Sequence, residues 1–278
     1  MAQAFDYCAQ LVRDGDKDRF LATLFASAER RPALHALYAF DLEISGISQR
    51  VRDPFAGEMR LQWWREVIAG GRPGEAAASP IAAALAETLS KTQPPLVLLP
   101  DFLDAHAFDL HNDQMATLGV LQRYARNTTG AIMELAALTL GVTRNSTLQT
   151  LCAEAGAAMT IANILRNFAR HAVRGQLFVP ADVLARHAAN SADIVDGRTT
   201  PALLGALAEL RAEARTHLER LLVPLAEMPA SVRPAFLPVT LVPLYLARME
   251  RPDYDPFKTM VEVPQWQRQW RLWRAARA

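Results

Sequence analysis

Three arginines recur at one-turn spacing in this chain: Arg166, Arg170 and Arg174, with His171 beside them. On a helix that spacing stacks guanidinium groups on one side, and such a face can hold an anion without a metal. The commoner fate of an arginine run is a solvated face, and spacing alone leaves both readings open. A second group, Asp101, Asp104, His106, Asp109, His111 and Asp113, has the side-chain types of a metal site. Its spacing is irregular, and no pair has the HExxH geometry that sets two ligands on one helical face. A surface helix with end-capping is the better reading. Ser27, Ser45 and Ser48 with His35 offer a nucleophile and a base, but no G-x-S-x-G elbow accompanies them, so they carry little weight.

The tail QWQRQWRLWRAARA places Trp266, Trp270 and Trp273 at i, i+4 and i+7, with Arg268, Arg271, Arg274 and Arg277 beside them. Such a helix either lies on an anionic lipid surface, rings at headgroup level, or docks its aromatic stripe on the protein with arginines in water. Docking is the preferred reading, and peripheral membrane contact stays open. Trp63 and Trp64 are adjacent and point to different sides of their helix, so at least one is expected in the core.

These side chains must be positioned by helices. Strand signals are almost absent, and apolar residues recur at three and four. Leu34, Leu37, Tyr38, Leu42 and Ile44 make one broad stripe; Met59, Leu61, Trp63, Trp64 and Val67 follow Pro54 on the next. Further helices are expected near 81–92, 97–109, 117–140, 146–172, 200–225, 231–249 and 264–276, with loops at 70–80 and 187–199. No repeat or composition shift divides the 278 residues, so one all-α domain over 1–278 is expected. Hydrophobic residues make up 51%, enough for a core, which excludes wholesale disorder. Lys+Arg at 30 against Asp+Glu at 29 leaves no global basic field, so a nucleic-acid partner is not expected. Two cysteines, Cys8 and Cys152, exclude a disulfide scaffold or a cysteine-built zinc site. The longest apolar stretch, 235–247, is too short to span a bilayer and contains Pro238 and Pro243. The first residues, MAQAFDYCAQLVRDGDKD, lack the apolar region of a secretory signal. A cytoplasmic location, with peripheral contact at the inner face of a membrane, is the expectation.

Four ordered stretches resemble the squalene/phytoene synthase family of head-to-head prenyl transferases. They are RRPALHALYAFDLEISGISQRVRDPFAGEMRLQWWREVI (30–68), YARNTTGAIMEL with Tyr124, Gly130 and Glu134, AGAAMTIANILRNFARHAVRGQLFVPADVL (155–184), and LPVTLVPLYLARMERPDYDP with the tail. The resemblance implies an isoprenoid synthase helical bundle around a central apolar cavity. It also implies chemistry in which Mg²⁺, held by two D-x-x-x-D motifs on facing helices, neutralises a departing diphosphate.

This chain departs from that pattern at both motifs. Aligned on Tyr38-Ala39-Phe40, the first pair of aspartates becomes Ser45 and Gln49; aligned on Asn163 to Arg166, the second becomes Asn167 and His171. The family's tyrosine after the Arg-Gly segment is Phe178, and its Gln before the Asn is Thr160. Of the scaffold, Tyr124, Glu134, Asn163, Arg166, Arg174, Gly175 and Pro180 remain; Tyr124, Glu134, Asn163, Arg166, Arg170, Arg174 and Phe178 are the candidate substrate- or anion-binding set. Stabilising a departing anion is the dominant catalytic demand, and Ser, Gln and Asn bring no charge to hold the metal. Imidazole is a poor ligand for so hard an ion. No catalytic residue, metal or cofactor is therefore expected. The match at Glu43, Arg60, Gln62, Trp64 and Arg65 also resembles a divergent branch that includes the mitochondrial complex I assembly factor of this fold. The leading expectation is a non-catalytic protein that binds an isoprenoid diphosphate or lipid, or helps assemble a membrane complex with a protein partner. The alternatives are an active transferase joining farnesyl or geranylgeranyl diphosphate with atypical Mg²⁺ ligation, and a protein-interaction module whose cavity has collapsed.

Overall fold

Arg31–Ser45 is buried on most of its circumference: Leu34, Leu37, Tyr38, Phe40 and Ile44 are all inside. Around it, in a computed structural model that describes residues 1–95 and 97–277, the chain is built of helices, with no strand among the described residues. Ala2–Gly15 and Pro80–Thr92 pack against it, and Pro54–Ile68 joins through Trp64, whose ring meets Phe40 edge-on at 5.0 Å. Phe102 of Leu98–Ala107 closes on the same Phe40 ring at 5.3 Å. Each such side chain fully buried stabilises the fold by about 1.5–3 kcal/mol.

The longest contact joins Ser146–Arg166 to Pro201–Ala226. Both begin on side-chain caps: Asn145 accepts from the Leu148 amide at 2.8 Å, and Thr200 from the Leu203 amide at 3.2 Å, with Pro201 in the first turn. Ser146–Arg166 runs through two apolar clusters, contributing Leu148, Leu151 and Ala155 to one and Ile161 and Leu165 to the other. At its middle it touches the 118–139 region backbone to backbone. A Cβ on Gly156 would sit 2.7 Å from the Gly130 amide nitrogen, so the glycine is what permits the approach.

Several expected elements are subdivided. The region 117–140 is Leu118–Ala125, a π turn at Arg126–Gly130, and Ala131–Thr139. The region 146–172 breaks at Asn167, where φ −100° and ψ 16° end the long helix before Phe168–Val173 begins. The expected loops hold short helices, Pro73–Ala78 and Ser191–Val195. Residues 1–23, given no element from sequence, form Ala2–Gly15 and Lys17–Thr23, anchored by the fully buried Cys8 and Val12 one turn apart. The stretch Ala230–Met249 is long and apolar enough to cross a bilayer, longer than the 235–247 stretch noted from sequence, but 61% of its most apolar window is buried against the protein. It comprises several short helical pieces whose Phe236, Leu237, Leu241 and Leu246 fill the core.

Candidate functional site

A cleft of about 370 Å³ opens between Arg31–Ser45, the start of Lys17–Thr23, the π turn and the end of Ser146–Arg166. Its lining is mostly polar, with Leu42, Ile164, Phe178 and the Tyr124 ring as its main apolar surfaces. Beside this polar cleft, large apolar side chains pack within the two core clusters.

Arg19 stands at one side of the floor. Its guanidinium meets the Asp41 carboxylate in a short ion pair, approaches Asp16 at 3.3 Å, and lies 5.1 Å over the Tyr38 ring. Burial works against the Arg19 charge, but Asp41 and Asp16 outweigh it and hold the group firmly protonated. Burial pushes the Tyr38 phenol up to about 12. Asp16 also caps Lys17–Thr23, accepting from the Arg19 amide at 2.9 Å, so one carboxylate both starts the helix and braces the arginine on it.

Across the floor, Asp109 accepts from the Tyr124 hydroxyl at 2.8 Å through one oxygen and pairs with His106 Nδ1 at 2.7 Å through the other. Burial, then the Asp109 charge, pushes the Tyr124 phenol well above its ordinary value. The π turn brings Thr128 and Thr129 to the same wall, where the Thr129 and Thr160 hydroxyls meet at 2.9 Å.

The mouth is formed by Ser45, Gln49, Asn163, Asn167, Arg170, His171 and Arg174. All four positions where the resemblance puts metal-binding aspartates therefore line one cleft, and all four are neutral groups or a depressed imidazole. Burial lowers the His171 pKa, and a hydrogen bond with Gln176 at 3.2 Å only partly opposes this. The Gln176 amide donates to the Asp109 carbonyl at 3.3 Å, which leaves its oxygen to accept from His171 Nδ1. Gly175, at φ +70°, makes the left-handed turn that brings Gln176 back under His171. Phe178 meets His171 edge-on at 4.8 Å and adjoins Tyr124, linking mouth to floor. Arg170 and Arg174 have no carboxylate partner among the described residues.

Two of the candidate residues lie elsewhere. Arg166 belongs to a neighbouring cleft of about 330 Å³, where it lies 4.6 Å over the Tyr245 ring. The helix break at Asn167 takes Arg170 and Arg174 off the line that i+4 spacing would continue from Arg166. Glu134 is buried in an ion pair with Arg144 and faces a third cavity with Cys152. It follows the π turn, whose extra residue rotates the next helix by about 100° relative to an uninterrupted one.

The aspartate and histidine group of 101–113 divides as well. Asp104 pairs with Arg65 at 2.6 Å and His111 with Glu58 at 3.2 Å on the surface, consistent with a surface helix. The buried His106 and the half-buried Asp109 line the cleft, which sequence reasoning missed. So do Asp16, Arg19 and Asp41, which share no motif and meet only through the fold.

The C-terminal helix Gln265–Arg277 reverses the preferred docking orientation. It buries Leu272; Arg268 reaches Asp18 at 2.8 Å, and Arg271 reaches the Thr240 carbonyl at 3.2 Å. Trp266, Trp270 and Trp273 face outward, 46–67% exposed, with Arg274 and Arg277 stacked over the latter two rings. Ala275 and Ala276 pack against the apolar cluster on the helix's inward side. Trp64, by contrast, is core, while Trp63 donates from Nε1 to Glu75 at 2.7 Å.

The donor set does not fit a Mg²⁺ cluster. Asp16 and Asp41 are engaged by Arg19, and Asp109 by Tyr124 and His106, so no carboxylate pair is left to a hard cation. Among the described residues no three acidic, histidine or cysteine side chains form a metal-holding group.

Comparison with known proteins agrees with this architecture. The squalene/phytoene synthase family model matches residues 12–274. The mouse NADH dehydrogenase (ubiquinone) complex I assembly factor 6 is 26% identical over 251 residues, spanning 90% of this chain and 75% of that protein. The maize chloroplastic phytoene synthase 3 is 26% identical over 270 residues, spanning 94% of this chain and 62% of its own length. Among solved structures, squalene synthase HpnC from Alicyclobacillus acidocaldarius superposes with a TM-score of 0.77 at 21% identity, over 92% of this chain and 96% of that one. That likeness shows a shared helical isoprenoid synthase fold. The chain belongs to the squalene/phytoene synthase family.

Proposed function

We propose that this chain is a non-catalytic member of its family. In this reading it assists assembly of a respiratory complex I-type membrane complex and keeps a cleft that binds its ligand without metal. The observation that carries the proposal is the mouth of the cleft. Ser45, Gln49, Asn167 and His171 stand together where two facing carboxylate pairs would be needed, and the nearby acids are tied to Arg19, His106 and Tyr124. Assistance in assembly is supported by the likeness to complex I assembly factor 6 over 90% of this chain.

The work is done at a membrane surface, on the inner, cytoplasmic face. Three outward indoles flanked by Arg274 and Arg277 suit the headgroup region of an anionic bilayer. The partner is a subunit or assembly intermediate of the membrane complex.

Deletion of the gene in its host is the test. The expected result is loss of assembled complex I on native gels and of NADH oxidation, with restoration by the wild-type gene. Restoration by an Arg170→Ala/Arg174→Ala variant would separate assembly from ligand binding. Unchanged complex I together with loss of a prenyl product would overturn the proposal.

A further inference from the structure

Pro54–Ile68 buries Leu61 and Trp64 and turns a second apolar stripe to the outside. Phe55, Met59 and Trp63 fall at i, i+4 and i+8, so they share one face over about 12 Å. Phe55 is 64% exposed and Met59 55%, and a run of large apolar side chains on a surface marks a place of contact. At Trp63 the stripe meets a hollow of about 340 Å³. Buried Trp64 and Ile81 are its floor, and exposed Tyr7 and Arg60 and half-buried Trp63 stand around it. The Trp63 ring is fixed by its Nε1 bond to Glu75 and by an edge-on contact with Trp64 at 5.0 Å, so the hollow is preformed. The charges of this region are unequally satisfied. Between 43 and 75 each carboxylate already has a partner: Glu43 meets Arg50 at 2.8 Å, Glu58 meets His111, Glu66 and Glu75 share Arg72, and Asp53 caps the helix. Arg65 is taken by Asp104. Arg60 reaches Glu43 only at 4.0 Å, behind Arg50, and Arg52 has no carboxylate partner among the described residues. The unmet charge beside the apolar stripe is therefore positive.

We propose that Phe55, Met59 and the hollow between Tyr7 and Trp63 dock an acidic amphipathic helix of a protein partner. One apolar side chain of that helix enters the hollow, its neighbours lie along Met59 and Phe55, and a carboxylate beside them pairs with Arg60. The stripe is as long as about two turns of a helix laid against it, which suits recognition through residues three and four apart. A second copy docked about a two-fold axis would set one cationic patch against another. A bilayer would pass over the hollow and leave it unfilled. This inference rests on the proposed assembly reading, which supplies the partner.

The test places the photoreactive residue p-benzoylphenylalanine at position 59 of the full chain in its host and sequences the crosslinked peptide. The expected product joins this position to one protein, at a segment with apolar residues three and four apart and Asp or Glu beside them. Arg60→Glu in the same chain should cut its yield about tenfold. The same probe at position 222, where Leu222 is exposed on Pro201–Ala226, should not form it. No crosslink at position 59, or one to a second copy, a lipid or a basic segment, would overturn the proposal. Complementation of the gene deletion separates this surface from the assembly reading. Met59→Ser/Arg60→Glu should melt with wild type, because both side chains are exposed, and should fail to restore complex I. Full restoration by that variant, with complex I lost in the deletion, would overturn the docking surface and leave the assembly reading standing. Complex I unchanged by the deletion would overturn the assembly reading, and the crosslink would still decide the surface.

Discussion

The floor and the mouth of the cleft obey different electrostatic rules. At the floor, Arg19 answers Asp16 and Asp41, and Asp109 takes donors at both oxygens. Burial demands this, because an uncompensated charge in a low-dielectric interior costs several kcal/mol. At the mouth, Arg170 and Arg174 are exposed, and neutral Ser45, Gln49 and Asn167 surround them. Water screens charge there, so the fold tolerates the loss of carboxylates that catalysis would not. Residues that hold the structure and residues that would perform the chemistry are thus separated by depth within one cleft.

The sharpest break of that comparison is Arg19→Ala. It leaves Asp16 and Asp41 facing each other without a counter-charge, and we expect a loss of about 3–5 kcal/mol in urea unfolding. A loss below about 1 kcal/mol would mean that the floor is not the compensated interior described. Tyr124→Phe removes one of the two donors on Asp109 and is expected to cost about 1.5–3 kcal/mol, as hydrogen bonds to charged groups do.

His171 lies between the two regimes, and its effect is read through pH. Burial lowers its folded-state pKa below the ordinary 6.5. The unfolded chain therefore takes up its proton first as pH falls. The stability linked to this residue is fully present above about pH 6.5 and is lost as pH drops through the folded value. Unfolding of wild type and His171→Gln between about pH 5 and 8 should show a steeper acid decline in wild type; parallel curves would place His171 with the screened mouth. Arg170→Ala sits at the small end, within about 0.5 kcal/mol of wild type, as expected for an exposed side chain without a partner. A larger loss would show that the mouth has a structural role.

The family resemblance made much of the site legible in sequence. Alignment on its motifs singled out Ser45, Gln49, Asn167 and His171, and all four line the cleft. Spacing of four did not carry Arg166 into the same cleft as Arg170 and Arg174, because the helix stops at Asn167, and Glu134, taken from the resemblance, lies past a π turn that the residues around Thr128 do not announce. Arg19 and Asp41 are 22 residues apart and share no motif, so only the tertiary fold could pair them. His106 was visible but misread with its surface neighbours, since an i,i+3 His–Asp pair looks the same in sequence whether exposed or buried. The tail was legible as an amphipathic helix but not in its orientation, because both its faces carry groups able to contact the body.

The central claim is that the emptied mouth cannot support diphosphate ionisation. Its most direct test is diphosphate release by the purified protein from farnesyl and geranylgeranyl diphosphate, supplied separately with Mg²⁺ or Mn²⁺, with and without NADPH, beside an active phytoene or squalene synthase. The account predicts no release above the protein-free background while the control turns over. Metal-dependent release at a rate comparable to the control would contradict it and would mean that the carboxylates of the cleft floor, with Asp16, Asp41 and Asp109 the first to substitute, hold the metal.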